Sequence, residues 1–142
     1  MLIVDSNVWF DAADTDSANH GACARLLQDR RHDLATPAVV IGEAARLIRY
    51  KLGASAEAHY IHLVTSGAVD ILDLTSDDWT RVAELVDTYL DRPLGVIDAA
   101  IVALAERHYV NELASMNGRD FYVVRPRHTP AFTLVPVGLA RP

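Results

Sequence analysis

Leu2, Ile3 and Val4 make a short unbroken apolar run that Asp5 closes, and runs of this kind with β-branched members read as buried strands. The same signature recurs at 34–36, 69–74, 112–116 and 131–135. Between these runs the apolar residues repeat at spacings of three and four, which predicts helices over 8–13, 17–30, 37–52, 56–65, 76–90 and 96–108. Local chemistry supplies the boundaries. Asp5, Ser6 and Asn7 offer capping side chains to the first helix, and Thr75 or Ser76 offers one to the fifth. Pro37 holds Thr36 extended and suits a first helical turn that Gly53 later ends, and Ser55 can cap the helix after it. Pro93 and Gly95 separate the last two helices, of which the second is apolar on nearly every face and therefore central.

Strands alternating with helices predict a parallel sheet of about five strands covered by helices on both faces, an α/β sandwich. With no repeat and no linker, a single domain over 1–142 is expected. In such sheets ligands bind beyond the carboxyl ends of the strands, so residues just after the first and fourth strands come first as site candidates.

Three acids stand where apolar residues belong. Glu43 shares a helical face with Val39, Val40 and Leu47, and Asp98 shares one with Leu94, Ile101, Val102 and Ala105. Asp5 directly follows the first strand. Each also has a plainer reading: Asp5 as a helix cap, Glu43 as a solvated helical acid and Asp98 as a partner of its helix dipole. Taking carboxylates out of water costs several kcal/mol each unless a cation or hydrogen-bond donors compensate. Arg46 and Arg92 flank Glu43 and Asp98 and could pair with them or contact phosphate. A divalent cation is the competing partner, and an all-carboxylate cluster selects hard ions such as Mg²⁺ or Mn²⁺. His59 and His62 lack companion ligands and read as solvated. The segment 116–120 contains Asn117-Gly118, a strong turn dipeptide, but its place after the fourth strand makes it a further candidate.

Composition narrows the class. Of 142 residues, 51% are hydrophobic and 23% charged, which fits a compact globule and excludes a disordered tail. The single cysteine, Cys23, excludes an internal disulfide and a multi-cysteine zinc site, and no apolar stretch is long enough to span a membrane. A cytoplasmic protein with no membrane partner is expected. The net charge of −6 excludes a nonspecific nucleic-acid coater, so any RNA must meet local arginines, and 12 of the 13 cations are arginine.

VDSNVW after the first strand, then PAVVIGEAARL, DRPLGVIDAAIVALAER and LASMNGRDFYVVRP, in that order, resemble a PIN-domain protein of the VapC toxin type over nearly the whole chain. The resemblance implies a PIN-like sandwich and a Mg²⁺- or Mn²⁺-dependent endoribonuclease that cuts structured RNA such as tRNA or rRNA and inhibits translation. It implies an acidic cluster of Asp5, Glu43 and Asp98, with Asp5 and Asp98 as metal ligands and Glu43 as a ligand or water-positioning base. It also implies a homodimer and a cognate antitoxin protein, for which Trp9 and Phe10 are candidate groove anchors. One departure stands out. Where the family carries a fourth acid, this chain has Asn117, a neutral oxygen donor and candidate outer-shell partner of the site, with Asp120 three residues on as a candidate substitute. The alternative is accordingly a catalytically weakened PIN-like protein that holds RNA or a partner without efficient cleavage.

Overall fold

The structure is a computed structural model that describes residues 1–92 and 94–136. Pro93, read above as a helix separator, and the end of the 1–142 domain lie outside them. The chain runs β1 (Leu2–Val4), α1 (Ser6–Ala13), α2 (His20–Asp29), β2 (Leu34–Pro37), α3 (Ala38–Leu52), α4 (Ala54–Thr65), β3 (Asp70–Leu72), α5 (Ser76–Thr88), α6 (Val96–His108), β4 (Glu112–Ala114), α7 (Gly118–Val123) and β5 (Thr133–Val135). All strand pairs are parallel, in the order β3-β2-β1-β4-β5. The predicted five-stranded parallel sheet is therefore present, flanked by seven helices among the described residues.

This order positions the site. From β1 the chain winds outward through β2 to β3, then returns to the other side of β1 for β4 and β5. Connections therefore diverge between β1 and β4, which is where an open parallel sheet leaves a crevice beyond its strand ends. β1 is hydrogen-bonded on both sides, Ile3 facing Ala35 of β2 and Leu113 of β4 in register. Its three side chains are wholly buried, which explains a continuous apolar run rather than an alternating one. Against the sheet lies α6, with Ala99 through Ala105 all buried.

Several boundaries differ from expectation, each for a local reason. α2 starts at His20 rather than near 17, because Ser17 Oγ and Asn19 Nδ2 both donate to the Asp11 carboxylate, at 2.8 and 3.2 Å, and hold the chain in a loop. Pro37 ends β2 instead of opening the following helix. Gly53, at φ 96°, both ends α3 and precedes α4, so Ser55 lies inside α4 and caps nothing. Thr75 does cap α5, its side chain accepting from Asp78 N while Asp78 accepts from Thr75 N.

The largest omission from the sequence reading is α7. Asn117-Gly118 reads as a turn, yet Asn117 is the N-cap residue and Gly118 the first helical one. A Cβ there would sit 2.8 Å from Cε2 of the exposed Tyr122, so any side chain at 118 requires that ring to move.

Thr36 links three elements in this core. Fully buried, its Oγ1 accepts from Trp9 Nε1 at 3.2 Å and donates to the Val4 carbonyl at 3.1 Å. Thr36→Val keeps the shape and removes both bonds, leaving a buried indole N–H unpaired. The expected loss is about 2 kcal/mol of unfolding free energy, read from urea denaturation with an unchanged m value. A loss below about 0.5 kcal/mol would mean that Trp9 finds another acceptor.

Candidate active site

Asp5 ends β1 and begins α1, and its backbone and side chain are both committed. Its N–H donates to the Ala114 carbonyl of β4 at 2.9 Å, which extends the β1–β4 pairing by one residue. Its Oδ1 accepts from Ser6 N at 2.7 Å, so it does cap α1, as the plainer reading expects. The cap leaves Oδ2 available, and Ser115 Oγ, at the end of β4, donates to it at 2.9 Å. Ser115 Oγ in turn accepts from Asn117 N at 2.9 Å, and Asn7 Oδ1 accepts from Met116 N at 3.0 Å. Two loops that leave the sheet in different directions are thus stitched together across the crevice. Burial pushes the Asp5 carboxyl above its ordinary range, opposed by the bonds from Ser6 and Ser115 and reinforced by the charge of Glu43.

Asp98 lies in the first turn of α6 and is half-buried. Burial, then the charges of Asp5, Asp120 and Glu43, push the Asp98 carboxyl up to about 7. Those causes locate the cluster: Asp5, Glu43 and Asp120 all face Asp98 closely enough to act on its charge. Among the described residues no hydrogen-bond donor and no cation reaches Asp98. Glu43, half-buried on α3 beside the buried face formed by Val40, Ala44 and Ile48, likewise has no such partner.

Asp120 is brought in by α7. Asn117 Nδ2 donates to its Oδ2 at 2.7 Å, so the amide at 117 restrains the carboxylate at 120. The ion pairs expected for the neighbouring arginines are not made: Arg46 and Arg92 are exposed and neither pairs with an acid among the described residues. His59 and His62 are exposed, as expected. Trp9 is buried and lines an apolar cleft of about 330 Å³ between α1, α2 and α4, together with Leu27, Tyr60 and Leu63. Phe10 does not line it, because one residue along α1 the ring turns toward α3, where Lys51 Nζ lies 5.6 Å from its centroid. Ser115 and Asn7 were missed by sequence reasoning. Their signal was their place beside the two strand ends, but nothing in a lone serine or asparagine distinguishes a latch from a turn residue.

The donor set suits a hard divalent cation in kind: carboxylate oxygens only, partly dehydrated, with no organic cation among them. It is not closed in advance, since among the described residues no three Asp, Glu, His or Cys side chains are placed to hold one ion. Uncompensated carboxylates repel, which keeps such a shell from closing on its own.

The Asp98 carboxyl makes stability depend on pH. An acid whose folded value lies above its unfolded one binds more protons in the folded state, so stability is lost as pH rises from about 4 to about 7. Asp98→Asn is therefore expected to raise the melting temperature of the metal-free protein by roughly 5 °C at pH 8 and hardly at all at pH 4. Equal shifts at both pH values would refute a raised carboxyl at this position.

The same chain was compared with known proteins. The model of the PIN domain family matches residues 2–125. Ribonuclease VapC26 of Mycobacterium tuberculosis is 27% identical over 138 residues, covering 95% of this chain and 100% of the relative. VapC20 of Mycobacterium tuberculosis, a sarcin-ricin loop cleaving toxin, superposes with a TM-score of 0.79 at 21% identity, over 84% of this chain and 92% of that one. A toxin–antitoxin complex from Klebsiella pneumoniae superposes with a TM-score of 0.67 at 20% identity, over 94% of this chain and 100% of that one. With five parallel strands in this order, acids gathered at the β1–β4 crevice and a family match over most of its length, the chain belongs to the PIN domain family.

Proposed function

We propose that the protein is a divalent-metal-dependent endoribonuclease, the toxin of a toxin–antitoxin pair, that cleaves structured RNA such as tRNA or rRNA and so inhibits translation. The observation that carries this reading is Asp98, a carboxyl pushed up to about 7 among three other acids with no cation among the described residues to offset them. A cluster that costs stability and lacks an internal partner is built for an external one. Ribonuclease activity and RNA cleavage are stated in the names of VapC26 and VapC20, and this chain aligns with both over most of its length.

Asp5 and Asp98 would hold Mg²⁺ or Mn²⁺, with Asp120 drawn in as an additional ligand and Glu43 as a further ligand or as the group that positions water. When bound, the ion supplies a lowered pKa for water and neutralises charge on the phosphate under in-line attack. The chain's own residues do the rest. Ser6 N–H and Ser115 Oγ–H fix the Asp5 carboxylate and favour its charged form against burial. Burial and the neighbouring acids favour the protonated Asp98 carboxyl, which would have to lose its proton to hold a cation. Asn117 positions Asp120 through its amide, which makes Asp120 the fourth carboxylate of the site and Asn117 a positioning residue.

A second reading has its own support: the neutral Asn117 and the open arrangement of the acids favour a protein that holds RNA or a partner while cleaving poorly. The deciding experiment incubates the purified protein with structured cellular RNA in Mn²⁺, in Mg²⁺ and in chelator. Discrete fragments that vanish with chelator are expected, together with loss of at least about 100-fold in rate in a folded Asp98→Ala variant. Asn117→Ala is expected to weaken Mn²⁺ binding about ten-fold, as loss of a ligand-orienting bond does. Apparent Mn²⁺ affinity should rise by up to about ten-fold between pH 6 and pH 7 and level off above pH 8, in calorimetry that also records the released proton. RNA binding without chelator-sensitive fragments would establish the second reading.

The antitoxin is placed in the apolar cleft lined by Trp9, Leu27, Tyr60 and Leu63. Its lining is greasy, it opens to solvent, and the buried Tyr60 hydroxyl there has no partner among the described residues. Leu63→Glu, at an exposed rim position, is expected to abolish co-purification with the antitoxin while leaving RNA cleavage unchanged. Retained co-purification would move the partner elsewhere. A homodimer belongs to the same reading.

A further inference from the structure

Several of the guanidinium groups that a polyanion could use are already taken among the described residues. Arg30, Arg49, Arg81, Arg107 and Arg127 all form ion pairs with acids: Asp33 and Glu112, Glu57, Glu84 and Glu106, Asp78, and Glu84 respectively. Arg125 donates to the carbonyls of Tyr122 and Val124. Arg92 and Arg119 differ. Both are exposed, neither is in an ion pair among the described residues, and together with Asp120 and Val123 they line one cleft of about 540 Å³. Asp120, which lines the same cleft, is in an ion pair with neither of them among the described residues, and its Oδ2 accepts from Asn117.

We infer that Arg92 and Arg119 form a phosphate grip that holds the RNA backbone beside the scissile linkage. The inference rests on the ribonuclease reading and adds to it the residue Arg119 and the place where the strand enters. Three observations support it. First, the cleft and the acidic cluster share Asp120, so a phosphate between the two guanidiniums lies next to the carboxylates rather than at a distant surface. Second, each arginine is carried by a segment that also carries a site acid. Arg119 precedes Asp120 in α7, and Arg92 lies in the connection that leads into α6 and Asp98. Third, a chain of net charge −6 repels RNA at long range, and a local pair of forked donors at the mouth of a negative site offsets that.

The chemistry favours backbone over base. Two exposed guanidiniums present planar donors suited to phosphate oxygens, and such contacts position a strand without reading its sequence. The grip consequently acts on substrate binding and leaves the chemical step to the acids.

The test measures binding of a fluorescent single-stranded RNA to full-length protein carrying Asp98→Asn, which prevents cleavage during the titration. Arg92→Ala, Arg119→Ala and, as a control on α2, Arg25→Ala are compared, with circular dichroism to show that each is folded. Each cleft variant is expected to weaken binding about ten-fold at low salt and to flatten the plot of log affinity against log salt by roughly 0.7. Arg25→Ala should change neither. In the cleavage-competent protein the same substitutions should raise KM about ten-fold with kcat within two-fold, and Arg119→Lys should recover the salt slope but only part of the affinity. Unchanged affinity and slope in both cleft variants, with a wild type that still cuts RNA, would overturn the grip alone. A wild type that neither binds nor cuts RNA would overturn the ribonuclease reading and the grip with it.

Discussion

The structure depends on holding a carboxylate at the end of a buried parallel strand. β1 is dry on both faces and paired on both sides, so Asp5 leaves the sheet where water is scarce and its charge must be met by donors. Ser6 N–H and Ser115 Oγ–H meet it, and to reach Asp5 the serine must sit at the end of β4. That requirement ties the order of the strands to the chemistry of the site. With β4 placed anywhere but beside β1, Asp5 would lose a donor and the loop leading to Asn117 and Asp120 would exit elsewhere.

The remaining acids are less well satisfied, and this difference separates scaffold from site. Paired acids of the scaffold, such as Glu106 with Arg81, are held below the usual carboxylate range by their guanidinium partner in spite of burial. Asp98 moves the opposite way, since its neighbours are acids. One protein therefore uses the same side-chain chemistry in two ways: charge cancelled at the α5–α6 packing, and charge accumulated at the strand ends. The second arrangement is tolerated because the core beneath it is large and apolar, with α6 buried through seven consecutive residues.

Much of this was legible in the sequence. The five strands and six of the seven helices follow from apolar periodicity, because each buries a continuous run or one face, and burial is what periodicity records. Asp5 and Asp98 stood out for the same reason, as charges at positions whose neighbours are buried. What stayed hidden depends on contacts between distant residues. α7 is too short to show a period, and its Asn-Gly start imitates a turn. Ser115 and Asn7 acquire their roles only through partners 110 and 109 residues away. Phe10 was grouped with Trp9 by adjacency, whereas on a helix one step turns a side chain through about 100°.

The position of β1 at the centre of the sheet also sets an order in time. Asp5 precedes Ser115, which completes its hydrogen bonds, and Asp120, whose charge acts on Asp98, by more than a hundred residues. A nascent chain that has reached the end of α6 already carries Asp5, Glu43 and Asp98, but β1 still has one open edge and the crevice has no far wall. Such long sequence separations make the closing of this sheet a late event in folding. The crevice that gathers these acids is thus complete only once the segment from β4 to α7 has joined the sheet.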